Sequence, residues 1–224
     1  MNQVELVCET TGVVKENHVI SNNTGSCIQM MEVDVSCISK TGQVNHLSIH
    51  LPRNSRMLSI LEDKDSIIRL KGKFASFRKT NGEKRIQEMY ISPISIEKVE
   101  ETYDHLNNIS FIGEVIKTPV FKRRKNGRRV AEAIVKIPKE NQRGYDFIPI
   151  VSFDHLAGKM KSIKAGSMVK GNGRIHSREY TENNTHPKSI KRKAYEVCIH
   201  SIIELKKINS ECTTIPYKEQ RHSS

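Results

Sequence analysis

Asp65-Ser66-Ile67-Ile68-Arg69-Leu70-Lys71-Gly72-Lys73-Phe74-Ala75-Ser76 has a counterpart about one hundred residues further on, Ala165-Gly166-Ser167-Met168-Val169-Lys170-Gly171-Asn172-Gly173-Arg174-Ile175-His176-Ser177. Each stretch runs into a polar hairpin, Lys79-Thr80-Asn81-Gly82-Glu83 in the first and Thr181-Glu182-Asn183-Asn184 in the second. Each then closes on an alternating run, Glu88-Met89-Tyr90-Ile91-Ser92-Pro93-Ile94 or Glu196-Val197-Cys198-Ile199-His200-Ser201-Ile202. The order of elements recurs as well as the residues, so the chain reads as two copies of one module.

Outward from that repeat, the sequence is a series of short runs with apolar residues at every second position, punctuated by Gly, Asn and Ser. Val33 to Ile38, Leu47 to Leu51, Phe111 to Ile116, Val130 to Ile137, Phe147 to Phe153, Met168 to Ile175 and Tyr195 to Ile203 all have this period. Alternation over four to eight residues is the signature of a half-buried strand. Only Arg56–Leu61 and Asp154–Ile163 suggest helices, each lying between two strands. The expected fold is all-β. Five strands with a short helix between the third and fourth, in about one hundred residues, is the layout of the OB-fold, a partly open barrel whose strand 2–3 face and loops hold oligonucleotides. Two tandem OB-fold barrels are expected, over residues 1–100 and 107–207. A polar join, Glu97 to Asn107, separates them, and residues 208–224 read as a flexible tail.

Composition narrows the function. At 36% hydrophobic and 28% charged residues, the 224-residue chain can bury a core. No apolar run reaches the roughly 18–20 residues of a membrane span. Met1-Asn2-Gln3-Val4-Glu5 lacks the basic start of a secretory signal, so a cytoplasmic location is expected. The net charge is +12, and it is unevenly placed. Residues 1–100 hold 13 basic and 12 acidic side chains, whereas residues 101–224 hold 24 and 13. Such a basic half is the footprint of a polyanion binder. Cys8, Cys27, Cys37, Cys198 and Cys212 make no Cys-x-x-Cys pair, so neither a disulfide framework nor a zinc ribbon is suggested. His46 and His50 fall on one face of a strand without a third ligand and read as a surface pair, and Asp146 and Asp154 likewise read as surface groups. There is no Walker loop, no Gly-x-Ser-x-Gly elbow and no His-Glu-x-x-His, so no enzyme, cofactor or metal is expected.

The second copy carries more specific motifs. Asn108-Ile109-Ser110-Phe111-Ile112-Gly113-Glu114-Val115 is followed by Pro119, by Asn126-Gly127 and by Val130-Ala131. Later come Phe147-Ile148-Pro149-Ile150-Val151-Ser152-Phe153-Asp154-His155-Leu156-Ala157, Lys164-Ala165-Gly166-Ser167, Gly173 to Tyr180 and Tyr195-Glu196-Val197. In this order the motifs resemble the bacterial single-stranded DNA-binding proteins from Asn108 to Leu205; primosomal replication proteins share the barrel and fit nearly as well. The resemblance implies binding of single-stranded DNA with little sequence preference, in replication, recombination or repair, by a nucleoid-associated protein. Phe147, Phe153 and Tyr180 fall where that family usually has its stacking tryptophan, phenylalanine and tryptophan.

The residues support this reading on their own terms. A single strand is held by cations along its phosphates and by rings under its bases, at roughly 1–3 kcal/mol per stack. Lys122, Arg123, Arg124, Lys125, Arg128 and Arg129 crowd around Asn126-Gly127, a pair that favours a tight hairpin turn and would set the charges on an arm of the barrel. Phe121 adjoins them. Lys188, Lys191, Arg192 and Lys193 flank the strand 4–5 hairpin, and Arg174 and Arg178 precede Tyr180.

The chain departs from the family in having no tryptophan and in ending His222-Ser223-Ser224 instead of on an acidic tip with a terminal phenylalanine. That tip recruits partner enzymes in the family, so replication or repair proteins are expected as partners here without that recruiting element. RNA is a second polymer that the same groups can hold. If four barrels are required, two chains supply them, and a homodimer is expected. A primosome-type adaptor whose barrels dock proteins is the alternative, with nucleic-acid binding secondary.

Overall fold

The structure, a computed structural model, describes residues 1–21, 27–81, 84–100, 105–140, 144–182 and 190–205; the expected tail and Lys188 lie outside them. Its elements are β1 (Asn2–Ser21), β2 (Cys27–Ile38), β3 (Val44–Pro52), α1 (Leu58–Leu61), β4 (Ile67–Asn81), β5 (Lys84–Lys98), β6 (Asn107–Val115), β7 (Val120–Arg123), β8 (Arg129–Pro138), β9 (Tyr145–Phe153), α2 (Asp154–Lys161), β10 (Met168–Glu182) and β11 (Ile190–Glu204). The alternation seen in the sequence becomes alternation of burial. In β6, Ile109, Phe111 and Val115 are buried, while Asn108, Ser110 and Glu114 lie toward the outside.

The strands close into two β-barrels of the same design. In the first, β1 pairs antiparallel with β2 and β4, β2 with β3 and β4 with β5, and β3 meets β5 in parallel at Ile49–Ile91. In the second, β6 pairs with β8 and β10, β8 with β9 and β10 with β11, and β9 meets β11 in parallel at Ile150–Val197. A short helix follows the third strand of each barrel, α1 burying Leu61 and α2 burying Ala157 and Met160. These are tandem OB-folds. α1 is shorter than the six residues expected, because Arg56 and Met57 sit in a turn.

The duplication extends to single hydrogen bonds. Asn2 brackets Phe74, donating from Nδ2 to its carbonyl (2.5 Å) and accepting from its amide (3.3 Å). Asn107 brackets Ile175 in the same way, at 2.8 Å in both directions. Both fourth strands shift register at a glycine: Gly72 follows a break after Lys71, and Gly173 one after Asn172. A Cβ on Gly72 would stand 2.5 Å from the Ser92 carbonyl, and one on Gly173 would stand 2.5 Å from that of Cys198. No other side chain fits so close to the opposing backbone, which explains why Gly recurs at this point in the repeat.

The barrels are joined edge to edge. β1 pairs antiparallel with β6, with Val4 opposite Ile109 at the centre and Asn2–Phe111 and Leu6–Asn107 at the ends. Since Asn2 and Asn107 are equivalent, this register is symmetric about its middle pair, and it places the barrels about a pseudo-twofold axis in one eleven-stranded sheet. Val4, Leu6, Ile109 and Phe111 are all buried, so the seam is apolar beneath and hydrogen-bonded along its length.

A second joint flanks the first. Asp146 Oδ1 accepts from the Ser76 amide (2.7 Å) and from Ser76 Oγ (3.3 Å), while Lys139 Nζ donates to the Ser76 carbonyl (2.8 Å) and pairs with Asp146 (3.4 Å). Across the axis, Asn45 Oδ1 accepts from the Ser177 amide (3.2 Å). Asp146 is therefore buried in the joint and is not the surface group expected.

Gly72→Ala is expected to destabilise the chain by about 1–3 kcal/mol, measured by urea unfolding, because backbone has to move to admit the methyl group. Asp146→Ala leaves the Ser76 amide without its acceptor and the Lys139 ammonium without its counter-ion and is expected to cost about 2–4 kcal/mol. A loss under about 0.5 kcal/mol in either variant, the size of an ordinary surface change, contradicts the corresponding contact.

Candidate nucleic-acid interface

The basic arm is the β7–β8 hairpin. Arg123 faces Arg129, and the Arg124 amide donates to the Arg128 carbonyl at 2.9 Å. The loop is therefore Lys125, Asn126 and Gly127, one residue longer than the expected Asn-Gly turn. Gly127 closes it at φ +80° and Asn126 Oδ1 accepts from the Arg128 amide (3.1 Å). A left-handed glycine ending a three-residue loop is a regular hairpin solution. Residues 122–129 are all exposed. Lys122 pairs with Glu132 (3.1 Å) and Arg128 with Asp154 (3.3 Å), whereas Arg123, Arg124, Lys125 and Arg129 have no carboxylate partner among the described residues.

Phe153 ends β9 outside the core cluster, and the Arg128 guanidinium lies 4.3 Å from its ring centre. Asp154, at φ +52°, turns the chain into α2 and holds that guanidinium with its carboxylate. Ring, planar cation and carboxylate thus form one unit at the base of the arm, where a guanidinium can stack and bind phosphate together. Arg174 and Cys198 are opposite each other on β10 and β11. Burial, then the Glu196 carboxylate, push the Cys198 thiol up, and these outweigh the Arg174 and Arg128 guanidiniums that favour its anion. His176, Glu196 and Cys198 bring three metal-capable side chains together. The two guanidiniums beside the thiol oppose a divalent cation there by like-charge repulsion.

Phe147, half-buried, stands outside the core at the mouth of a groove of about 550 Å³ between the barrels. The second barrel lines it with Ile134, Phe147, Pro149, Tyr180, Lys193 and Tyr195; the first supplies Lys15, Asp34, Ser48 and His50 among others. Arg78, from the first barrel, lies 5.7 Å from the Phe147 ring centre, and Gln87 Nε2 donates to the Phe147 carbonyl (2.8 Å). Tyr180 is 44% exposed, and Arg178 is exposed on the same strand.

Two expected contacts are placed differently. Phe121 packs against the core with the Lys161 ammonium 5.2 Å from its ring centre, so it serves the barrel. Lys193 points across the groove to Asp34, Nζ to Oδ1 2.8 Å, and is held by protein. Lys191 and Arg192 lie on β11 opposite Thr181 and Tyr180, and their side chains are outside the description.

Among the described residues, the first barrel has no counterpart of the Arg128–Phe153 unit. Counting from the shared joint, the equivalents of Phe147, Phe153 and Tyr180 are His46, Pro52 and Lys79. Its rings are packed on each other: His18 on Phe77 (centres 3.9 Å apart, 13° between planes) and His50 on Tyr90 (4.4 Å, 11°). His50, expected at the surface, is buried by that stack. Burial, with the Asp146 carboxylate, pushes the Tyr90 hydroxyl up to about 12. The sequence reading missed Ile134, Pro149 and Asp34, because the groove they line exists only when the two barrels are joined.

Comparison with known proteins agrees with this geometry. No curated protein matches the chain. Among solved structures, the wild-type single-stranded DNA binding protein of Thermus aquaticus superposes with a TM-score of 0.66 at 15% identity, over 100% of this chain and 97% of that one. A deletion variant of the same protein gives 0.67 at 16% identity, over 94% and 98%. These likenesses establish the fold over both barrels. Residues 106–205, the span of the second barrel with its basic arm, match the single-strand binding protein family.

Proposed function

We propose that the chain binds single-stranded DNA without reading its sequence, chiefly through residues 107–207, and serves replication, recombination or repair. One observation carries this reading: the exposed basic hairpin, the Arg128–Phe153 unit, and Tyr180 and Phe147 all belong to the family-matched barrel. Backbone cations supply affinity, and rings accept any base because every base has a π-face. Residues 1–100 act as a companion barrel that lines the groove with Gln87 and sets Arg78 over the Phe147 ring. Two chains, contributing four barrels, form the working homodimer, and it meets replication or repair proteins in the cytoplasm. Stacking and phosphate contacts do not distinguish the 2′-hydroxyl, so RNA is bound as well.

In titrations with oligo-dT at two salt concentrations, affinity falls steeply as salt rises, duplex of equal length binds more weakly, and oligo-rU binds measurably. Replacing Arg123, Arg124, Arg128 and Arg129 by Ala together with Tyr180→Ala is expected to lower oligo-dT affinity at least about thirtyfold with circular dichroism unchanged. Affinity indifferent to salt or to these five changes contradicts the proposal and favours the adaptor.

Cys198 offers an independent reading. The thiolate is the species that reacts, so a raised pKa shifts its alkylation rate profile toward higher pH than an ordinary thiol shows. Peptide-level mass spectrometry is expected to find Cys27, which is exposed, labelled first, Cys198 labelled slowly until alkaline pH, and bound oligo-dT slowing Cys198 alone of the two. Labelling of Cys198 unaffected by saturating oligonucleotide contradicts its place beside the bound strand.

A further inference from the structure

The duplicated fold offers an internal comparison, and the copies differ in the groove on the pseudo-twofold axis. Asp34 pairs in register with Ser48 on the first barrel, and Ile134 pairs with Pro149 on the second. Ser48 and Pro149 occupy equivalent places, so Asp34 is the counterpart of Ile134. One wall of the groove is apolar, with Ile134 40% exposed, and the wall facing it carries a carboxylate.

That carboxylate is engaged on both oxygens. Oδ1 takes the Lys193 ammonium at 2.8 Å from the second barrel and the Ser48 hydroxyl at 3.2 Å; Oδ2 takes the Lys15 ammonium at 3.5 Å. Glu32 adds a second negative charge alongside, accepting from Ser48 Oγ (3.0 Å) and Asn17 Nδ2 (2.5 Å). Partial burial alone would raise the Asp34 pKa; Lys193, Lys15 and Ser48 outweigh it and hold it below the usual carboxylate range. The group stays charged at neutral pH.

We infer that Asp34 sets the affinity of the groove by holding Lys193 and Lys15 on its own carboxylate, so that a phosphate crossing between the barrels has to compete for them. The inference rests on the single-strand reading above. A phosphate that takes Lys193 exchanges one ion pair for another and also approaches Asp34 and Glu32, so the contact adds little to binding. The equivalent of Lys193 in the first barrel is Gln87, which carries no charge to compensate. The acidic wall therefore weights binding toward the second barrel and weakens the hold of the groove on the strand.

The test uses the full chain, oligo-dT and four proteins: wild type, Asp34→Asn, Lys193→Gln and the double variant. Asp34→Asn keeps the shape and the Ser48 contact while removing the charge. It is expected to bind about three- to tenfold more tightly, and its log-affinity against log-salt slope is expected to steepen by about one, since each phosphate contact on a single strand contributes about 0.7. Lys193→Gln alone is expected to change affinity less than twofold, yet to remove about half of the gain when added to Asp34→Asn. Asp34→Asn with unchanged slope and affinity, in a protein whose wild type does bind oligo-dT, overturns the inference alone. So does Lys193→Gln alone matching its loss in the Asp34→Asn background, because Lys193 would then already contact phosphate. Asp34→Asn that only lowers the urea midpoint marks Asp34 as a tie between barrels and overturns it also. A wild type that binds no single strand at all defeats the function proposal and this inference together.

Discussion

The pairing of β1 with β6 is the constraint on which the rest depends. Two small barrels have two edges to hide, and an exposed strand edge is a liability that proteins cover, charge or pair. Here each barrel's first strand covers the other's, in a register symmetric about Val4 and Ile109. The apolar residues beneath, Leu6 and Phe111 among them, are withdrawn from water on both sides of the seam. Everything that crosses between the barrels follows from that register: the Ser76–Asp146 and Ser177–Asn45 bonds, the Phe74–Tyr195 edge contact and the groove on the axis.

Given that frame, the two copies have divided the work. The positions where the second barrel shows Phe147, Phe153 and Tyr180 hold His46, Pro52 and Lys79 in the first. The first barrel spends its rings on internal stacks that tie β1 to β4 and β3 to β5. Charge follows the same division, since almost all of the excess of basic residues lies after residue 100. The first barrel contributes to the interface by reach, placing Arg78 on Phe147 and Asp34 on Lys193.

How much of this was legible in the sequence depended on the range of the interaction. Gly72 and Gly173 recur because two backbones meet at the same bulge in each barrel, and a local constraint of that kind leaves a local mark. The alternation, the place of each helix and the charge on the β7–β8 arm were legible for the same reason. Lys193 read as a phosphate contact because its neighbours are basic; the carboxylate that holds it lies 159 residues away, on a strand whose own pattern shows only a half-buried Asp. Asp146 was misread in the same way, whereas His50 is covered by Tyr90 of its own barrel. Alternation tells which face of a strand a side chain takes, but not whether a second barrel covers that face.

The most direct test is hydrogen–deuterium exchange of the whole chain with and without saturating oligo-dT. The expected result is slow exchange of β1 and β6 in both states, with added protection in residues 120–131, 147–153 and 174–180 and a smaller gain along β5 near Gln87. Rapid exchange across the β1–β6 seam, or protection confined to the first barrel, would contradict a fused pair whose second member holds the strand.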